Sequence, residues 1–347
     1  MAKIDALFRQ MREAGGSDLH LEERYPPKMR LHGHLEDMHP KSLTKQVLSE
    51  MLQEICGPEQ WQRYIKTGDL DFAYEMGSEA RFRANFFRHA DGYGAIFRII
   101  PTKILTLDDL KAPEVFRGFG FLRSGLILVT GPTGSGKSTT MAAILNHINE
   151  NFSRKIVTIE EPVEFVHQSK KSLIIHREVG EDTLSFATGL KGAMRSDADV
   201  VLVGEMRDRE TIELALRATE MGVLVFGTLH TNSAAKTIDR VVDVFPQAQK
   251  DQIRGLMGTS VQAIVSQQLL RTADGKGRQA AHEILLTTPA LQGVVRAGDA
   301  AKLISYIQTG GRLGMQSLDD CLERLIKEGK VTKEEAYKKA IDKKRFV

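Results

Sequence analysis

Apolar positions at the start of the chain fall on one face of a helix: Ile4, Leu7, Phe8 and Met11 stand at i, i+3, i+4 and i+7, and Gly15-Gly16 supplies a stop. The period then shortens. Apolar runs at 18–21 and 29–35 predict strands, 44–55 predicts a helix, and 69–76 predicts another strand. Residues 81–87 and 94–100 predict a hairpin that turns near Asp91-Gly92 and is closed by Pro101. Residues 1–101 therefore read as one small α+β domain. Residues 102–123 hold Pro113 and little periodicity, which predicts a linker that lets two domains rotate.

From Gly125 strands alternate with helices, the pattern of a parallel sheet covered by helices. Strands are predicted at 126–130, 155–159, 200–203 and 223–228, with helices at 138–149, 184–194, 210–219 and 233–242. Beyond Pro289 the period is helical, at 290–297, 302–308, 317–327 and 332–339. The class is α/β, with one domain over 124–288 and a helical subdomain over 289–347.

Composition narrows this only slightly. The 347 residues suit two domains, and 41% hydrophobic with 27% charged residues describes a folded chain. Forty-eight basic against 45 acidic residues give a net charge of +3, too balanced to select nucleic acid or an anionic membrane as partner. Cys56 and Cys321 lie far apart, so neither a disulfide framework nor a zinc knuckle is expected, and a reducing cytoplasm fits. His32 and His34 lie two apart on a predicted strand with no third ligand nearby, so no metal site is expected there. Residues 1–16 carry Asp5, Arg9, Arg12 and Glu13 and lack an apolar signal region. No run approaches the ~20 apolar residues of a membrane span, so any membrane association is expected to be peripheral.

The sharpest chemistry lies in Gly131-Pro132-Thr133-Gly134-Ser135-Gly136-Lys137-Ser138-Thr139, which satisfies G-x-x-x-x-G-K-[ST] between a predicted strand and a predicted helix. In such a phosphate loop the glycines let backbone amides face phosphate oxygens, Lys137 reaches the β and γ phosphates, and Ser138 ligates magnesium. A kinase or a switch has the same loop, so a hydrolase needs further acids. Two strands end in them. One is Thr158-Ile159-Glu160-Glu161-Pro162-Val163-Glu164, and the other is Val200-Val201-Leu202-Val203-Gly204-Glu205. The second resembles a Walker B strand with Glu in place of Asp. A third strand ends in Gly227-Thr228-Leu229-His230-Thr231, whose histidine is placed to hydrogen-bond a γ-phosphate or its water.

Taken in order, these four segments resemble the Walker A, Asp box, Walker B and His box of the secretion ATPases, and among them of the type IV pilus retraction (twitching motility) ATPases. The segments Gly15-Gly16-Ser17-Asp18-Leu19-His20-Leu21 and Gln308-Thr309-Gly310-Gly311-Arg312-Leu313-Gly314-Met315-Gln316 are similar as well. The resemblance implies a PAS-like N-terminal domain, a RecA-like P-loop ATPase domain with a C-terminal helical subdomain, and ATP with Mg2+. It also implies a homohexamer at the inner face of the inner membrane that turns a PilC-like pilus platform protein. It assigns Glu164 as general base and Glu205 to support magnesium, directly or through water, and the lytic water, with distance left to decide between them. Arg83 and Arg98 of the hairpin are implied to reach the nucleotide phosphates.

The chain departs from the family at Glu161, where Asp is usual, at Ala198 for Pro, and at His176 for Gln. Its helix Ala290-Leu291-Gln292-Gly293-Val294-Val295-Arg296-Ala297 keeps part of the usual A-I-R-N-L-I-R-E. A PilU-like accessory ATPase or another secretion ATPase is the close alternative. The assembly motors of the family are longer and usually carry a tetracysteine zinc site. A nucleotide-gated binding module with slow turnover is a reading of another class, and a nucleic-acid translocase is disfavoured by an aromatic content of 6% and balanced charge.

Overall fold

The computed structural model describes residues 2–31, 34–77, 79–100 and 103–347. The chain forms two compact units, one of Met1–Lys103 with Glu161–Val166 and one of Ile104–Glu160 with His167–Val347.

In the first unit the predicted N-terminal helix spans Asp5–Ala14, buries Phe8 and Met11, and stops at Gly15, whose left-handed φ of 78° lets its amide cap the last carbonyls. The strands are β1 (Asp18–Glu22), β2 (Lys28–Leu31), β3 (His34–Asp37), β4 (Asp69–Met76), β5 (Ala80–His89) and β6 (Gly92–Ile100). They form an antiparallel sheet in the order β3-β2-β1-β6-β5-β4. The single strand expected at 29–35 is a hairpin instead, with Leu31 paired to His34. Gly33 was the available sequence signal, and it lies with His32, Pro101 and Thr102 outside the described residues. The helix Pro58–Thr67 was not anticipated, although Pro58 opens it, Gln60 accepts the Gly57 amide at 2.9 Å, and Gly68 closes it. One sheet face carries Leu19, Leu21, Phe82, Ala84, Phe86, Ala95 and Phe97 into a core with Phe8 and Tyr64. Alternation sends the intervening polar side chains to the other face.

The second unit is built on β7 (Gly125–Thr130), β8 (Lys155–Glu160), β9 (Leu173–Glu178), β10 (Val200–Val203), β11 (Leu224–Leu229), β12 (Val261–Arg271) and β13 (Arg278–Leu286). Their order is β13-β12-β7-β11-β10-β8-β9, parallel throughout except for the antiparallel β12–β13 pair. The strands β9, β12 and β13 were not predicted. Ser266, Gln267, His282 and Glu283 interrupt the apolar pattern of the last two, yet all four are buried. Of residues 102–123, expected as a linker, 104–123 lie within this unit. Leu107, Phe116 and Phe119 join the core that holds Ile127 and Val129 of β7, so this stretch is anchored by its own apolar residues.

The C-terminal helices are Pro289–Ala297, Ala300–Thr309, Leu318–Lys327 and Lys333–Lys339, with the starts capped by Thr288, Asp299, Ser317 and Thr332. Each cap is of a kind that contributes about 1 kcal/mol. The first two helices bury Leu291, Val295, Leu303 and Ile307 in the main core. The last two form a separate cluster around Leu318, Leu322 and Phe346, against Leu270 of β12 and Ala281 of β13.

Candidate functional site

The strand β7 is buried along its whole length and delivers the chain into the glycine-rich loop, where Gly131 donates its amide to the Leu229 carbonyl at 3.3 Å. Gly131 has φ of 147°, and a Cβ there would lie 2.3 Å from the Gln267 carbonyl oxygen. Gly136 has φ of 85° with Gln267 Nε2 at 2.9 Å from the same hypothetical atom. Backbone conformation and close approach both demand glycine at these two positions. The helix Lys137–Asn151 that follows has neither a side-chain cap nor an acidic residue in its first turn, so its amides are left for an anion. The Lys137 ammonium donates to the carbonyls of Gly131 at 2.8 Å and Pro132 at 3.1 Å, folded over the loop it is placed to serve. Among the residues lining a pocket of about 390 Å³ are Gly136, Thr139, Leu269, Arg278 and Ala112.

The second acid is organised by neighbours on adjacent strands. β10 lies between β8 and β11, and the amide of Gly204 just beyond it donates to the Ile159 carbonyl at 2.8 Å. The Thr228 hydroxyl donates to the Gly204 carbonyl. Glu205 Oε1 lies 3.0 Å from His230 Nε2 and is ion-paired with Arg207. Burial acts to raise the Glu205 pKa, but Arg207 and His230 outweigh it and hold the carboxyl below the usual range. The structure thus brings Glu205 and His230 together, and the partner it shows for His230 is this carboxylate.

Glu164 is placed differently. It is half-buried between buried Val163 and Phe165, in the segment Glu161–Val166 that belongs with the first unit. The chain rejoins the second unit at His167, whose amide donates to His176 Nε2 at 3.0 Å, while His176 Nδ1 stands 2.8 Å from the Thr158 hydroxyl. The His176 imidazole therefore ties His167 to Thr158 of β8 within the second unit. His167 is buried with Nδ1 unpartnered, and burial, reinforced by His176, pushes its pKa down to about 4.

Arg83 and Arg98 face each other across β5 and β6, and Arg98 is paired in register with Asp18 of β1, which is paired with Arg30 of β2. Like charges opposite one another are unfavourable unless an anion answers them. Asp18, 5% exposed, accepts from Arg98 Nε at 2.7 Å, whereas Arg83 Nε is 3.9 Å from Asp71. Burial raises the Asp18 pKa, and Ser17 and Arg98 more than reverse that, leaving it below the usual value.

Sequence reasoning missed Thr140, Gln267 and His282 beneath the loop, and Arg207 beside Glu205. The available signal for Gln267 and His282 was polar residues inside otherwise apolar stretches, the mark of buried groups that must find partners. Among the described residues no helix is long and apolar enough to cross a membrane.

A parallel sheet with a phosphate loop after β7 and acids at the ends of neighbouring strands defines a RecA-like P-loop ATPase. The chain belongs to the type II/IV secretion system protein family, which matches residues 2–341. It is 48% identical to a type IV pilus retraction ATPase, PilT, of Pseudomonas aeruginosa over 97% of this chain and 98% of that protein. It is 35% identical to the type IV pilus ATPase PilU of the same organism over 96% of this chain and 87% of that protein. Its fold is similar to a crystal structure of the pilus retraction motor PilT with bound ADP, at a TM-score of 0.91 and 39% identity over 99% of both chains. The chain is accordingly an ATP-hydrolysing motor of this family, with an N-terminal antiparallel-sheet domain and a C-terminal helical subdomain.

Proposed function

We propose that the chain powers type IV pilus retraction, as a homohexamer held peripherally at the inner face of the inner membrane, where it turns a PilC-like platform protein. What supports retraction over the PilU-like accessory role is the higher identity to PilT over nearly the whole chain. ATP takes the loop 131–139, with Lys137 exchanging the Gly131 and Pro132 carbonyls for phosphate oxygens. The pocket beside Gly136 and Thr139 takes the base end of the nucleotide.

The Ser138 hydroxyl and Glu205 carboxylate are hard oxygen donors of the kind magnesium accepts beside phosphate and water. Among the described residues no group of three or more His, Cys, Asp or Glu forms a self-contained cage, which suits an ion carried in with the nucleotide. When bound, the ion neutralises charge on the β and γ phosphates.

The observation that carries the assignment of roles is the Glu205–His230–Arg207 cluster. A carboxylate paired with the Arg207 guanidinium, in contact with His230 and held below its usual pKa, is a weak base but a well-fixed support for a water. Glu164 is therefore the general base, and His230 orients Glu205. Arg83 and Arg98 answer the phosphate charge, a role supported by their like-charged juxtaposition.

Deleting the gene in a piliated host and scoring surface pili and twitching tests the direction of work. Hyperpiliated, non-motile cells are expected; bald cells would instead mark an assembly motor.

A further inference from the structure

Beneath the phosphate loop, polar groups form a path that runs from buried Gln267 and His282, which line the same pocket, to partly buried Gln316. Gln267, 2% exposed on β12, donates from Nε2 to the Ser135 carbonyl at 2.6 Å and accepts at Oε1 from the Thr140 hydroxyl at 2.8 Å. His282, 6% exposed and opposite Gln267 in the β12–β13 register, places Nε2 3.1 Å from the same Oε1. Because Gln267 Oε1 has no proton, His282 carries its hydrogen on Nε2. Burial pushes the His282 pKa down to about 4, so the ring stays neutral. The His282 carbonyl in turn accepts from Gln316 Nε2 at 3.0 Å, and Gln316 is bridged to Ile284 through both backbone groups. Gln316 Oε1 accepts from Arg324, in the helix Leu318–Lys327, at 3.4 Å.

The geometry at Ser135 gives this path a purpose. A trans peptide points its carbonyl and its amide hydrogen in opposite directions. By holding the Ser135 carbonyl, Gln267 aims the Gly136 amide hydrogen away from the core, toward the mouth of the loop where a phosphate is received. A phosphate that takes up this amide bears on the peptide that Gln267 holds, and through it on the Gln267 amide.

We propose that Gln267, His282 and Gln316 are positioning residues that couple occupancy of the phosphate loop to residues 310–316 and the helix after them. The proposal rests on nucleotide binding at the loop, and the test separates the two. Amide hydrogen exchange is followed on the full chain with and without Mg·ADP, alongside the ADP dissociation constant. In the native chain ADP is expected to slow exchange at both 131–139 and 310–316. Gln267→Leu is expected to weaken ADP binding about tenfold, the loss of one hydrogen bond that orients a phosphate donor. His282→Phe and Gln316→Leu are expected to keep protection of the loop and lose it at 310–316, with binding changed less than about twofold at Gln316→Leu. His282→Gln, which keeps a donor, is expected to restore the distant protection. Since Gln316 is only partly buried, its variant tests the path even if the core variants fail to fold. Protection of the loop without protection at 310–316 in the native chain, or distant protection that survives Gln316→Leu and His282→Phe, overturns the coupling. Protection at neither place overturns the nucleotide reading and the coupling with it.

Discussion

The two units hold their basic side chains in opposite ways. The first displays Arg83, Arg98 and Arg30 along one line across its polar sheet face, with the buried Asp18 as the carboxylate among them. The second keeps His167 and His282 neutral by burial and folds Lys137 over the carbonyls of its own loop. In the first, charge is arranged by strand register. In the second, it is arranged by backbone geometry that a local motif dictates. This difference decides how each unit responds when a single group is removed.

The largest expected effect is at Lys137. Lys137→Ala is expected to abolish measurable ATP turnover while the far-ultraviolet circular dichroism stays native, the outcome for a lysine whose proposed role is at the phosphates and not in the core. Next comes acid. His167 and His282 have folded pKa values near 4 against about 6.5 unfolded, so the unfolded chain takes up protons that the folded chain refuses. Stability is full above about pH 6.5 and falls as the pH drops toward 4. At pH 5 the loss is on the order of 2 kcal/mol for each histidine, from 1.36 kcal/mol per pH unit. Urea unfolding at pH 7.5 and pH 5 measures it, and an unchanged midpoint would contradict neutral burial.

A smaller effect separates the two arginines. Arg98→Ala leaves buried Asp18 with Ser17 as its remaining side-chain partner and is expected to cost about 1–2 kcal/mol. Arg83→Ala, at a half-exposed arginine 3.9 Å from Asp71, is expected to stay within about 0.5 kcal/mol. Equal losses in urea unfolding would erase the distinction drawn from register. Asp18 also sets a pH signature: its folded pKa is depressed, so its contribution is present above about pH 4 and disappears as the pH falls through the folded value.

The same contrast explains what the sequence could reveal. The phosphate loop, the Glu205 strand and the His230 strand are legible because each combines an apolar run with a chemical ending, and their strand bounds shift by no more than a residue or so. The strands β12 and β13 were illegible because Gln267, His282 and Glu283 look like surface residues until the fold supplies their partners. The ion pair of Arg98 with Asp18, eighty residues apart, depends on register and leaves no local trace. The stretch 104–123 misled for a simpler reason: Leu107, Phe116 and Phe119 are too irregularly spaced to show a period, yet each reaches the core.

The central claim is that hydrolysis uses Glu164 as base while Glu205 is fixed by His230 and Arg207. Its most direct test measures ATP turnover and nucleotide affinity together in Glu164→Gln. Affinity near native with turnover reduced by roughly 10²-fold or more is predicted, the scale of losing a general base. Native turnover in Glu164→Gln would contradict the account.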